Sequence, residues 1–131
     1  AYWLASQCRS ISASPLSFVG SIGTMAIVQD TSEANNLLGV RTHVVATGAR
    51  KGDFVQGVPI TEESLVALRS EVEQVNTLFL HAVSNGRSME LSAVRGVATG
   101  ECWLALEARE RGLIDSVAYL EEILDVLGEE E

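Results

Sequence analysis

Basic side chains are scarce in this sequence: nine Lys and Arg stand against eighteen Asp and Glu, a net charge of −9. Binding to a phosphate backbone is driven by clustered basic residues, so nucleic acid is not an expected partner. Cysteine is scarcer still. Cys8 and Cys102 stand far apart without CxxC spacing, and His43 and His81 are the only histidines. Neither a zinc site nor a disulfide framework is signalled, and no metal or other cofactor is expected. Two isolated thiols fit a reduced compartment, which favours the cytoplasm, the alternative being a membrane-anchored protein that faces the extracytoplasmic side. No apolar run approaches the ~18–20 residues of a membrane-spanning helix, so membrane contact is expected only through a segment outside these residues. The opening AYWLASQC has neither an initiator Met nor a basic signal-peptide region, and reads as the start of an internal piece of a longer protein. Lysine is the rarest charged residue. Eight of the nine basic residues are arginine, leaving Lys51 alone.

What is present is apolar: 47% of the 131 residues are hydrophobic and 21% charged, which excludes a disordered tail and fits one globular domain or a large part of one. SISA (10–13) reads as a short strand ended by Ser14-Pro15, since proline biases its predecessor away from helix. Glycines 20 and 23 bracket Ser21 in a tight turn, and Met25 to Val28 reads as a buried strand. Thr31 or Ser32 can cap a helix through Leu38 that Gly39 closes, and Val40 to Thr47 is a β-branched strand candidate. Residues 47–59 carry three glycines and no periodicity, so they form a long loop that holds Lys51 just after a strand end, where sites are commonly built.

The strongest helix runs from Thr61 to Asn85, with Leu65, Leu68, Val72, Val75, Phe79 and Ala82 on one face. Thr61 is its N-cap, Ile60 and Leu65 have staple spacing, and Gly86 is the expected left-handed terminator. Helices follow at Leu91 to Val97, at Leu104 to Arg111 before Gly112, and at Asp115 to Leu127, with Glu129 to Glu131 a solvated end. Helix and strand alternate, which implies an α/β layer.

Chemistry has few candidates. A lysine acts as a general base when desolvation lowers its pKa from ~10.4 toward ~7–8, because the neutral amine is then populated. Lys51 is the residue to which this applies, and the Ser21 hydroxyl is a candidate to orient its amine. The commoner roles are a solvated loop charge and a plain turn. His43 and His81 read as packed or surface histidines, Glu107 and Arg111 as an i,i+4 surface pair, Trp3, Trp103 and Phe79 as core, and Cys8 and Cys102 as small buried side chains.

The ordered segments AYWLAS, SPLSFVGSIGTM, LGVRTHVVATGARKG, PITEESLVALRSEVEQVNTLFLHAVSNGR and GECWLALEARERGLID together resemble the bacterial and phage signal peptide peptidase A type of serine peptidase over essentially the whole chain. The resemblance implies an α/β fold of the ClpP/crotonase type, of which residues 1–131 form the C-terminal part of a single peptidase domain. It implies peptide-bond cleavage by a Ser/Lys dyad, a peptide or protein substrate and a homo-oligomer. The family's SG-x-x-K segment matches Thr47-Gly48-Ala49-Arg50-Lys51, with Thr for Ser, making Lys51 the general base. Its T-G-S-hydrophobic-G turn matches Val19 to Gly23, giving Ser21 the supporting hydroxyl. Ala108 and Gly112 to Asp115 match the A-x-x-x-G-L-V-D block that closes the fold.

Two departures accompany the match. Ala1-Tyr2-Trp3 aligns with the last residues of the family's S-G-G-Y-Y-like segment, which places the nucleophilic serine two residues before Ala1, with the oxyanion-hole glycines also upstream. The T-G pair that opens the family's helix before the G-L-V-D block is Leu104-Ala105 here, without a capping hydroxyl. Substrates under this reading are leftover signal peptides or phage capsid and scaffold proteins. The rivals are a catalytically incomplete assembly module of the same fold and, more remotely, an acyl-CoA enzyme of the crotonase type, in which a lysine-bearing loop has no role.

Overall fold

The computed structural model describes residues 1–128, which divide into two compact units. The first comprises Ala1–Gly23 and the chain from Asn76 onward, and the second is Thr24–Val75. In chain order the elements are α1 (Tyr2–Ala5), β1 (Ser12–Ala13), β2 (Phe18–Gly20), α2 (Ser32–Leu37), α3 (Glu62–Gly86), α4 (Leu91–Val97), β3 (Cys102–Leu104), α5 (Ala105–Glu110), β4 (Ser116–Val117) and α6 (Leu120–Gly128). Helix and strand are both present, and no helix among the described residues is long and apolar enough to cross a membrane.

In the first unit the core is built where helical spacing brings apolar residues to one side. Phe79, Leu80 and Val83 of α3 are buried with Val94 and Val97 of α4 and Ala105 and Ala108 of α5. Trp3 of α1 stacks on Phe79 with ring centroids 4.9 Å apart and planes 3° from parallel. Such pairs add about 0.5–1.5 kcal/mol beyond the area they bury. The strip expected along α3 is shifted: Val75 is 45% exposed, while Leu80 and Val83 carry the burial that follows Phe79.

Two small sheets tie distant parts of this unit together. β2 and β3 are antiparallel, pairing Val19 with Trp103 and Gly20 with Cys102, and β1 and β4 are parallel, pairing Ser12 with Ser116. The SISA strand is thus reduced to Ser12–Ala13. Alternation along β3 turns Trp103 inward and leaves Cys102 outward, so the expectation of buried cysteines fails there; Cys8, after α1, is exposed as well.

β3 runs directly into α5, whose N-cap is Leu104 with no side-chain cap, as the missing T-G pair implied. The helix expected from Asp115 is split. Ser116–Val117 pairs as β4, and α6 begins only at Leu120, where the Glu122 carboxylate accepts the Tyr119 N–H at 2.7 Å as half of a capping box. The acidic run 129–131 lies outside the described residues.

The end of α3 also departs from expectation. Gly86 remains inside the helix, and Ser88 takes the left-handed conformation at φ 51°. Met89 N–H donates to Ser84 O at 3.0 Å and Ser88 N–H to Asn85 O at 3.3 Å, the two bonds of a Schellman ending. Gly86 is required by proximity instead, because a Cβ there would collide with the Ser6 carbonyl oxygen.

In the second unit, α3 opens as read, with Ser64 N–H donating to Thr61 Oγ1 at 3.2 Å. α2 begins after Thr31 and ends before Gly39. The Asp30 carboxylate accepts Ser32 N–H and Ile60 N–H, both at 2.9 Å, and Ser32 Oγ at 2.6 Å, which ties the start of α2 to the end of the long loop. The strands read at Met25 to Val28 and Val40 to Thr47 do not form: Met25 is 82% and Val45 fully exposed. A strand needs a neighbour to accept its N–H groups, and among the described residues these β-branched segments have no ladder to join. His43 therefore stands in no strand and is exposed, as is His81 on α3.

Candidate active site

Ser21 follows the last residue of β2 and adopts φ 51°, in the left-handed region that non-glycine residues seldom enter. Its N–H donates to Glu101 O at 2.7 Å. The next residue, Ile22, is fully buried, and its carbonyl accepts Gly100 N–H at 3.2 Å. The backbone of Ser21 is thus anchored on both sides while its side chain is exposed. The tight turn read from the bracketing glycines is not formed: Ser21 and Ile22 continue the approach to Gly100–Glu101 begun by β2, and the chain bends only at Gly23, leaving Ser21 exposed on a fixed main chain.

Lys51 belongs to the second unit. With 40–47 unladdered, it does not follow a strand end, and the residues around it form successive turns: Lys51 N–H donates to Gly48 O at 3.1 Å and Asp53 N–H to Arg50 O at 3.2 Å. The lysine stem lies over Gly48, where a Cβ would sit 3.6 Å from Lys51 Cγ. Lys51 is exposed, so residues of its own loop do not supply the desolvation that a lysine base uses. Among the described residues it forms no ion pair; its neighbour Arg50 instead pairs with Asp53 at 3.0 Å.

A cavity of about 300 Å³ opens in the same unit, lined by Val44, Ala46, Ala49, Asp53, Val58 and Pro59 among others. The Asp53 side chain is 19% exposed and pairs with Arg50, so the cavity's one acid already has a partner.

The sequence pointed to Ser21 and Lys51 but not to what supports them. The Gly100–Glu101 backbone, which holds Ser21, carries no side-chain signal, since both of its bonds are made by main-chain atoms. The Arg87–Asp115 ion pair, at 2.7 Å, was equally silent: nothing in the spacing of two residues 28 apart marks them as partners.

Comparison with known proteins extends this reading beyond the site. The chain is 29% identical over 129 residues to a putative signal peptide peptidase SppA of Enterococcus faecium, covering 98% of this chain and 38% of that protein. It is 26% identical over 124 residues to Protease 4 of Haemophilus influenzae, covering 95% of this chain and 20% of the relative. With the chloroplastic serine protease SPPA of Arabidopsis thaliana it shares 26% over 122 residues, 91% of this chain and 18% of the relative. The chain therefore spans between about a fifth and two-fifths of the length of these relatives. The sequence pattern of peptidase family S49 matches residues 1–131, end to end, and the chain belongs to that family.

Proposed function

We propose that the intact protein is a serine endopeptidase of the ClpP/crotonase fold that uses a Ser/Lys dyad, with Lys51 as general base and Ser21 orienting its amine. The observation that carries the reading is that the only lysine of a family S49 chain stands in the turn that matches the family's lysine segment. Ser21, held in the left-handed conformation by its backbone and exposed, supports it.

In the reaction, a serine two positions before Ala1 attacks the peptide carbonyl carbon and its proton passes to the neutral Lys51 amine. Backbone amides hold the resulting oxyanion, commonly the largest single contribution to such catalysis. Collapse breaks the C–N bond, the leaving amine takes the proton from Lys51, and water then hydrolyses the acyl-enzyme with Lys51 again as base. Because Lys51 is exposed here, shielding of its amine falls to polypeptide beyond this chain's own loop, in a homo-oligomer or from preceding residues. The name of one relative, the putative signal peptide peptidase of Enterococcus faecium, favours signal peptides as substrates over capsid or scaffold proteins.

The test uses the full-length protein and a peptide substrate. Lys51→Ala and Lys51→Arg both abolish hydrolysis while circular dichroism stays unchanged, because guanidinium keeps its proton and cannot accept that of serine. Ser21→Ala lowers turnover by about 10- to 100-fold, the range for groups that orient a reactive one. Full hydrolysis by Lys51→Arg overturns the assignment.

One observation favours a second reading, a non-catalytic assembly module: Met25, Ile27, Leu37, Leu38 and Val45 are each more than three-quarters exposed, a surface suited to covering by other polypeptide. A full-length protein that assembles but hydrolyses no peptide would select it.

A further inference from the structure

The geometry around Ser21 points to a further positioning residue: we propose that Gly20, by admitting the Glu101 carbonyl against its own backbone, fixes the left-handed conformation of Ser21 and so aims its hydroxyl. The inference rests on the reading that Ser21 assists Lys51.

A serine at φ 51° is held there by its surroundings, since its own preferences favour negative φ. Two main-chain bonds do the holding, Ser21 N–H to Glu101 O at 2.7 Å and Gly100 N–H to Ile22 O at 3.2 Å. Both reach the same dipeptide, so the two sides of Ser21 are pinned to one short segment. Glu101 is itself fixed by the ladder beside it, where Gly20 pairs with Cys102 and Val19 with Trp103. Its carboxylate is engaged elsewhere, accepting Thr99 Oγ1 at 2.7 Å, so the latch on Ser21 is made by backbone alone.

Gly20 is what lets the latch close. It adopts φ 138°, and a Cβ there would overlap Glu101 O and lie 3.1 Å from both Cys102 Cα and the Trp103 ring. Two of those three obstacles are backbone, which cannot swing aside as a side-chain tip can. A methyl group would therefore push the Glu101 carbonyl away from the Ser21 N–H. Gly23, on the other side of Ser21, differs: a Cβ there meets nothing within 4 Å. Close approach of neighbouring backbone therefore requires glycine at position 20, whereas at Gly23 it is the φ of 154° alone that disfavours a side chain.

The experiment compares full-length Gly20→Ala, Ser21→Ala and the double variant in peptide hydrolysis. Each single change is expected to lower kcat about tenfold or more with KM nearly constant, and the double variant to fall no further than the weaker single, because Gly20 acts only through the Ser21 hydroxyl. A wild-type kcat in Gly20→Ala alongside a reduced one in Ser21→Ala overturns the proposal. So does a Gly20→Ala loss that appears in KM or that multiplies with that of Ser21→Ala. Full activity in Ser21→Ala instead defeats the reading of Ser21 itself, and this proposal with it. Should Gly20→Ala fail to fold, Ile22→Val, which trims the buried anchor beside Ser21, carries the same comparison: a kcat loss that vanishes in the Ser21→Ala background supports the proposal, and an unchanged kcat or a loss that multiplies overturns it.

Discussion

Arg87 grips Asp115 with two parallel hydrogen bonds, Nη1 to Oδ2 at 2.9 Å and Nη2 to Oδ1 at 2.7 Å. The pair is lopsided: the arginine side chain is 7% exposed and the aspartate 41%. Arg87 Nε also donates to Gly112 O at 3.2 Å, and Ile11 N–H donates to Asp115 Oδ2 at 2.7 Å. One ion pair thus joins the end of α3, the turn after α5 and the approach to β1.

Asp115→Ala should destabilise the chain by about 1–3 kcal/mol, read from the midpoint of denaturant unfolding, because it strands a largely buried guanidinium and the Ile11 N–H. Asp115→Asn, which keeps an acceptor, should cost less. The Arg87 hydrogen bonds hold the Asp115 carboxyl below its ordinary pKa, with the Ile11 N–H adding to the effect and burial opposing it. A depressed carboxyl stabilises the fold above its unfolded pKa of ~3.9, and that contribution disappears as pH falls through the lower folded value. Acid unfolding of Asp115→Asn should accordingly show a smaller change below pH ~4 than the parent. An identical acid profile would remove the pair from the stability of the fold.

Tyr2 predicts the opposite limb. Its hydroxyl donates to Leu113 O at 2.7 Å, and its pKa is pushed up to about 12, by burial first, with Arg87 working against the rise and Asp115 adding to it. A group raised in the folded state stabilises fully below its unfolded pKa of ~10 and ceases to as pH climbs through the folded value. Stability should therefore fall between pH ~10 and about 12, and Tyr2→Phe should flatten that fall, followed by unfolding midpoints across the range.

Gly86→Ala inverts a rule of thumb. Replacing glycine within a helix by alanine ordinarily stabilises by about 0.5–1 kcal/mol. Here the new methyl would meet the Ser6 carbonyl, with Ser6 fully buried, so the sign should reverse to a loss of about 1–3 kcal/mol from overpacking. A rise in thermal midpoint would show that α1 yields without cost.

The exposed apolar side chains of residues 25–45 set the fourth expectation. The 131-residue chain alone should self-associate or bind a hydrophobic dye strongly, measured by light scattering and dye fluorescence at micromolar concentration. A clean monomer that binds no dye would contradict it.

Local rules carried the sequence a long way. The Thr61 cap, the extent of α4 and the stops before Gly39 and Gly112 are set by residues within one turn of each other, and all were legible. Strands were not. Val40 to Thr47 has the composition of one, but a ladder is a property of two segments, and no partner for it occurs among the described residues. The start of the helix read at 115–127 failed for a related reason, while its later part forms as α6: Asp115 and Ser116 are claimed by partners more than a hundred residues earlier, Ile11 and Ser12, which no helical window contains. At the site, Ser21 and Lys51 were named from a motif, while the exposure of Lys51 and the Gly100–Glu101 latch depend on what lies around them in space.

The stacking of Trp3 on Phe79 has a practical corollary. The other indole, Trp103, lies beneath the Arg111 guanidinium at 4.6 Å, and both tryptophans fall in the first unit, whereas residues 24–75 carry Phe54 as their sole aromatic. Intrinsic emission therefore watches only half the molecule, while far-ultraviolet ellipticity also senses α2 and the opening turns of α3. Followed side by side through a denaturant series, the two signals become separate clocks for the halves: superimposed curves mean cooperative melting, and an ellipticity loss that precedes the emission change means that the lysine-bearing half comes apart first.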